Sequence, residues 1–118
     1  MRQVLIIDDQ NCILSLLQTF LMHLGHEVKI ARDGKEGIEV FDSERNLDLV
    51  ITDIRMPRMD GNAVARHIRN SDRPDIPIIA VSGFADEVEN GMFNFFIEKP
   101  FRIQTLADVI EKIKPNNP

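Results

Sequence analysis

Cysteine is almost absent from this chain, which carries one, Cys12. That excludes an internal disulfide framework and a cysteine-built zinc site. It fits a reducing compartment. Long apolar runs are missing too. Val4 to Ile7 is among the longest, far short of a membrane-spanning helix. The N-terminus has Arg2 but no apolar signal core ahead of Asp8 and Asp9. A cytoplasmic location is the expectation, with no membrane partner. Basic charge is in deficit, since 14 Lys and Arg face 19 Asp and Glu for a net charge of −5. Phosphate contacts need a basic face, so nucleic acid is not an expected partner. No glycine-rich loop follows the first apolar run, which removes a P-loop or dinucleotide site. Internal repeats and low-complexity segments are absent as well.

What remains is a chain of 118 residues, 43% apolar and 28% charged. That is one domain, 1–118, long enough to bury a core without staples. Short apolar runs alternate with helical patterns. Val4 to Ile7 reads as a strand ended by two aspartates. From Gln10 to Leu24, apolar residues Ile13, Leu16, Leu17, Phe20, Leu21 and Leu24 recur at helical spacing, and Gly25 closes the helix. Val28 to Ala31 is a second strand. Asp33 reads as an N-cap, with Glu36 three residues on and Ile38, Val40 and Phe41 following in a helix. Leu49 to Thr52 is a third strand, again ended by an aspartate, Asp53. Pro57 and the Asp60–Gly61 pair make Arg55 to Gly61 a loop. A helix follows from about Asn62 to Asn70. Ile78 to Val81 and Phe95 to Ile97 are the fourth and fifth strands. Ile103, Leu106, Ala107, Ile110 and Ile113 stripe the final helix, which Pro115 stops. The tail from Lys114 to Pro118 is either a natural end or the start of a linker.

Strands that read as continuous apolar runs are buried on both faces, as in a parallel sheet covered by helices. The expected fold is therefore α/β, a (βα)5 doubly wound parallel sheet of five strands. In such sheets ligands bind outside the carboxyl ends of the strands. Asp8 and Asp9 fall at that end of the first strand and Asp53 at that end of the third. Ser82 follows the fourth and Lys99 the fifth. One aspartate after a strand is most often a helix cap. Three acids, a hydroxyl and a lysine at one sheet edge are a different matter. Clustered carboxylates repel, and a site that keeps three together usually binds a cation. Hard oxygen ligands favour Mg2+ or Ca2+ over zinc. Lys99 supplies positive charge for a phosphoryl group.

Here the residues resemble a known family. Leu5-Ile6-Ile7-Asp8-Asp9, Asp53 with Met56-Pro57 and Asp60-Gly61, Ser82-Gly83, and Lys99-Pro100-Phe101 are similar to the motifs of two-component response-regulator receiver domains. The resemblance covers essentially the whole chain. It implies the flavodoxin-like strand order 2-1-3-4-5. It implies Asp53 as phosphoacceptor, forming an aspartyl phosphate. Asp8 and Asp9 would hold Mg2+, with Asp9 the direct ligand, together with Asp53 and the backbone carbonyl of Arg55. Lys99 would contact the phosphoryl oxygens. Ser82 would be the switch hydroxyl, with Gly83 leaving room beside it, and Phe96 the aromatic switch residue. The Lys99–Pro100 bond would be cis. The implied phosphodonor is a sensor histidine kinase or a histidine phosphotransfer protein. The implied target is a downstream protein or output domain, and the implied assembly a monomer or weak dimer. Such a protein is a signalling phosphoacceptor rather than an enzyme with a turned-over substrate. The alternative is a receiver-like interaction module that acts without phosphorylation. A dehalogenase-type phosphatase needs two aspartates spaced by one residue, whereas Asp8 and Asp9 are adjacent.

One departure stands out. Only sixteen residues separate Ser82 from Lys99, about five fewer than the resemblance to receiver domains implies, a shortfall of more than one helical turn. The expected fourth helix is therefore shortened or irregular, a short turn within Asp86 to Gly91 at best. The usual receiver dimer through that face is then in doubt. One of Phe93, Phe95 and Phe96 is left open to solvent, which favours a partner or self-association. Other polar residues read as plain. His23 and His26 flank a helix end, His67 sits on a solvated face, and Cys12 is a small, partly buried residue. Arg58 is a solvated charge. Arg55 is either the same or a residue that tunes access to the phosphoryl group.

Overall fold

The computed structural model describes residues 2–113. Its strands are β1 (Gln3–Ile7), β2 (Glu27–Ala31), β3 (Leu49–Asp53), β4 (Ile78–Ser82) and β5 (Phe95–Glu98). Its helices are α1 (Asn11–His23), α2 (Gly34–Ser43), α3 (Gly61–Arg69) and α4 (Ile103–Lys112). All strand pairs are parallel, in the order β2-β1-β3-β4-β5. The α/β class and the strand order are those expected.

Two-residue alternation along the strands decides which side chain meets which helix layer. Val4 and Ile6 of β1 join Leu49, Ile51, Ile79 and Val81 on the face covered by α1 and α4. There they meet Leu14, Leu17, Leu21, Leu106 and Ile110. Leu5 and Ile7 turn to the other face, with Val50 and Ile78, and meet Phe41 of α2 and Val64, Ala65 and Ile68 of α3. The three inner strands are buried almost throughout, hence their unbroken apolar runs. The edge strands depart from that reading. In β2, Glu27 and Lys29 face solvent, and in β5, Phe96 and Glu98 do. An edge strand has a partner on one side only, and charge at such positions discourages further pairing.

Local signals set the helix boundaries. The α1 helix ends in a Schellman turn. Gly25 takes φ +93, its N–H bonds the Met22 carbonyl at 3.0 Å, and the His26 N–H bonds the Leu21 carbonyl at 3.0 Å. The Asp33 carboxylate caps α2 by accepting from the Glu36 N–H at 2.8 Å, and Asp60 caps α3 through the Ala63 N–H at 2.9 Å. Helix starts and stops match expectation within a residue or two. Both β3 and β4 run one residue further than the apolar runs, so Asp53 and Ser82 belong to the strands. The expected stop at Pro115 lies outside the described residues.

The segment between β4 and β5 holds no α-helix, only a 3-10 turn at Ala85–Glu87. The expectation of a shortened, irregular crossover holds, but the segment is tied down rather than loose. The buried Asn62 amide at the start of α3 donates to the Glu87 carbonyl at 2.6 Å and accepts from the Glu89 N–H at 3.0 Å. Arg66 pairs with Glu89. Arg69 donates to the Met92 carbonyl at 2.9 and 2.7 Å and to Asn94 Oδ1 at 3.0 Å. Met92 and Phe93 then cover the outer end of the α2–α3 core. Cys12 is exposed, not partly buried as expected, because its position on α1 faces away from the sheet.

Candidate functional site

The chain places β2 on one side of β1 and then returns to place β3 on the other. The crevice between the ends of β1 and β3 is therefore the switch point of the sheet. Asp8 follows β1 directly and Asp53 is the last residue of β3. Carboxylate oxygens of Asp8, Asp9 and Asp53 lie within 4.8 Å of one another. Asp8 is 3% exposed and Asp53 9%, whereas Asp9 faces solvent.

Each buried carboxylate is oriented by one backbone donor. Asp8 Oδ1 accepts from the Gln10 N–H at 2.9 Å. Asp53 Oδ1 accepts from the Ile54 N–H at 2.8 Å. The second oxygen of each meets the same ammonium, since Lys99 Nζ lies 3.1 Å from Asp8 Oδ2 and 3.2 Å from Asp53 Oδ2. Burial pushes the Asp53 pKa above the ordinary carboxylate value and Asp8 pushes it further, with Lys99 only partly compensating. For Lys99, burial works against the charge, but Asp8 and Asp53 outweigh it and hold its pKa above the usual lysine value.

The β5 end is set by backbone pairing. The Lys99 N–H bonds the Ser82 carbonyl at 2.9 Å, and the Lys99–Pro100 peptide bond is cis. Ser82 is 2% exposed, and its Oγ accepts from the Phe84 N–H at 3.0 Å. An open cleft of about 410 Å³ lies over these groups, walled by Asp9, Gln10, Asp53, Arg55, Met56, Pro57, Ser82, Gly83, Phe84 and Lys99. Beneath Asp53 the packing is tight. A Cβ on Gly61 would stand 2.2 Å from the Asp53 carbonyl oxygen, so α3 approaches β3 only because residue 61 is glycine.

The structure thus brings together Asp8, Asp9, Asp53 and Lys99 in one contact group, with Ser82 and Arg55 on the cleft wall. It does not bring in Phe96. That ring stands on β5 opposite Ala80, 38% exposed, and takes no part in the cleft. Arg58 is not a free charge. Its guanidinium grips the Asp33 Oδ2 at 2.9 and 2.6 Å, from a backbone at φ +69, and so ties the loop after β3 to the cap of α2. Sequence reasoning missed Phe84 and Glu87. The Arg55 guanidinium lies 4.2 Å from the Phe84 ring centroid and pairs with Glu87. The available signal was an apolar residue two positions past Ser82 beside an acidic run.

The model of the response regulator receiver domain matches residues 4–111. The chain belongs to that family. Among curated relatives, it is 39% identical over 114 residues to the probable transcriptional regulator ycf27 of Cyanidium caldarium, covering 93% of this chain and 45% of the relative. It is 34% identical over 111 residues to the autoinducer 1 sensor kinase/phosphatase LuxN of Vibrio campbellii, covering 91% of this chain and 13% of that protein. The receiver therefore spans about half, or far less, of these relatives. Among solved structures, the Vibrio cholerae chemotaxis protein CheY4 superposes with a TM-score of 0.88 at 26% identity, over 97% of this chain and 99% of that one. The response regulator TrrA of Thermotoga maritima, solved in complex with Mg2+-BeF, superposes with a TM-score of 0.85 at 31% identity, over 95% and 98%. Among the described residues, no helix of this receiver is long and apolar enough to cross a membrane.

Three carboxylates make an all-oxygen donor set, which suits a hard divalent cation. Two of those carboxylates are buried as a pair with a single ammonium between them, so the cluster carries excess negative charge that a cation would relieve.

Proposed function

We propose that this receiver accepts a phosphoryl group on Asp53 from the phosphohistidine of a sensor kinase or phosphotransfer protein, in a Mg2+-dependent reaction, and thereby controls a partner or output domain. The observation that carries this reading is the contact group itself, in which one lysine bridges Asp8 and Asp53 beside a third carboxylate at the sheet's switch point. Asp8, Asp9, Asp53 and the Arg55 carbonyl are the residues that would hold the ion. The chemistry Mg2+ supplies when bound is neutralisation of charge on the carboxylates and the phosphoryl oxygens.

The chain's own groups divide the remaining work. A carboxylate oxygen of Asp53 attacks phosphorus as the P–N bond to the donor imidazole breaks. The electron pair leaves with the imidazole nitrogen, which takes up a proton. Lys99 follows the negative charge from the carboxylates to a phosphoryl oxygen. Ser82 gives up its contacts with Phe84 and donates to another phosphoryl oxygen. Its inward movement makes space beside β5, and Phe96 turns from solvent into it. That is a population shift between two packings of the β4–β5 edge. The protein acts as a phosphoacceptor in the cytoplasm, as a monomer or weak dimer, with no turnover beyond its own phosphorylation and dephosphorylation.

The test is intact mass after incubation with a small phosphodonor such as acetyl phosphate, with and without Mg2+, beside Asp53→Asn. One phosphoryl adduct that needs Mg2+ and vanishes in the variant is the expected result. An adduct that persists in Asp53→Asn would overturn the assignment.

A further inference from the structure

We propose that the Arg55 side chain is a two-position cation: Glu87 and Phe84 hold it off the acidic cleft in the free protein, and a phosphoryl group on Asp53 draws it in, releasing the β4–β5 crossover. The inference rests on the phosphoacceptor reading and adds a route from the site to the part of the fold where this chain is unusual.

Arg55 is two residues past Asp53 and lines the same cleft. Its guanidinium does not point at the carboxylates. It stacks at 4.2 Å on Phe84 and pairs with Glu87 in the 3-10 turn. Both partners belong to the crossover that lacks a helix. Phe84 is itself tied to Ser82, whose Oγ accepts from its N–H at 3.0 Å. Glu87 is tied to Asn62 through its carbonyl at 2.6 Å. The Arg55 side chain is 65% exposed, so its hold on Glu87 is shallow and a stronger anion competes with it. A phosphoryl oxygen is such an anion, and guanidinium suits it well. When Ser82 turns to the same group, the Phe84 backbone loses its partner and the ring under Arg55 shifts. Two of the contacts that pin the crossover are then lost together.

The probe is beryllofluoride with Mg2+, titrated by calorimetry, with amide hydrogen exchange across the crossover. The variants are Glu87→Gln, Arg55→Met and the pair combined; Arg55→Met leaves the backbone carbonyl in place. Glu87→Gln should tighten beryllofluoride binding by about 1.5- to fivefold, the range an exposed ion pair can contribute. The gain should vanish in the Arg55→Met background, which separates the release of Arg55 from the mere loss of a negative charge. In the wild type, beryllofluoride should speed exchange at Val88 and Glu89, and in Arg55→Met it should not. Equal gains from Glu87→Gln in both backgrounds, or unchanged exchange on binding, would overturn the proposal while leaving the phosphoacceptor reading intact. A wild type that binds no beryllofluoride would overturn both.

Discussion

Gly61 offers a sharp test of how the site is built. An alanine there puts its Cβ 2.2 Å from the Asp53 carbonyl oxygen and 3.0 Å from the Ile54 Cα. Ordinary contact needs about 3.4 Å, so β3 and α3 must separate by roughly 1 Å. Neither can move freely. The Gly61 N–H bonds the Ile54 carbonyl at 2.8 Å, and Thr52 Oγ1 donates to the Asp53 carbonyl at 2.8 Å. Overpacking of this kind costs about 1–3 kcal/mol. Stretching the buried Gly61–Ile54 bond adds roughly 1 kcal/mol. Alanine returns about 0.5 kcal/mol by restricting the unfolded chain. The net loss is about 1.5–3.5 kcal/mol, or on the order of 10 °C in Tm for a domain of this size.

The function should suffer more than the stability. The strain is delivered to the backbone of the phosphoacceptor, and a displacement near 1 Å can cost on the order of 100-fold in rate. Urea unfolding of Gly61→Ala and its rate of phosphorylation by acetyl phosphate measure the two effects. Gly83→Ala is the stability control, because a Cβ there meets nothing within 4 Å and its backbone is unstrained. The control should stay within about 0.5 kcal/mol of wild type. If Gly61→Ala matched the control in stability and the wild type in rate, the claim that a close approach of α3 positions Asp53 would be wrong.

Other perturbations follow from the same geometry. Asn62→Ala removes both bonds that pin Glu87 and Glu89, so hydrogen exchange at the Glu89 amide should speed up about five- to thirtyfold, as loss of about 1–2 kcal/mol of local stability requires; an unchanged rate would show that these bonds do not pin the segment. Asp53 titrates above its unfolded value, chiefly through burial and then Asp8, so its charge destabilises the metal-free fold once pH rises through that folded value. Asp53→Asn should therefore unfold at higher urea than wild type at pH 7 in chelator, with the gain gone below about pH 3.8, and a variant less stable at pH 7 would contradict this. Asp33 shows the opposite sign. The Glu36 N–H first, and Arg58 as well, hold its pKa low, so its contribution is present above about pH 3.8 and lost as pH falls through the folded value. Asp33→Ala should cost about 1 kcal/mol in urea unfolding at pH 7 and converge on wild type in acid.

The inner strands and the edge on which the site lies were legible because they depend on signals one or a few residues long, whereas the strand order was implied only by the family resemblance. Val4 to Ile7, Leu49 to Thr52 and Ile78 to Val81 read as inner strands since burial on both faces leaves no room for polar alternation. The aspartates could be placed because they lie within two residues of the end of such a run, and Lys99 because it lies two residues past the run of β5. Edge strands were less legible. Lys29 and Glu98 break the apolar pattern for a reason that lies in the sheet, not in the segment: only one side of the strand is paired.

Side-chain partners were the least legible part, and the crossover shows why. Its brevity was countable from Ser82 to Lys99, yet brevity alone suggests looseness. What ties it down is Asn62, Arg66 and Arg69, all on α3, reaching residues more than twenty positions away. Period and composition state which face of α3 is apolar. They say nothing about where the polar face finds acceptors, because that depends on how far the crossover falls short of a helix. The missing turns leave backbone groups at Glu87, Glu89 and Met92 that a helix would have satisfied internally, and each is instead taken up by a side chain of α3. The same shortfall puts Glu87 within reach of Arg55 and leaves Phe84 beneath its guanidinium. A full helix in this crossover would satisfy its own backbone, so inserting one should remove the need for Asn62: in such a chimaera Asn62→Ala should no longer raise exchange at the grafted segment. If it still did, backbone compensation for the lost helix would not be the reason this residue is buried where it is.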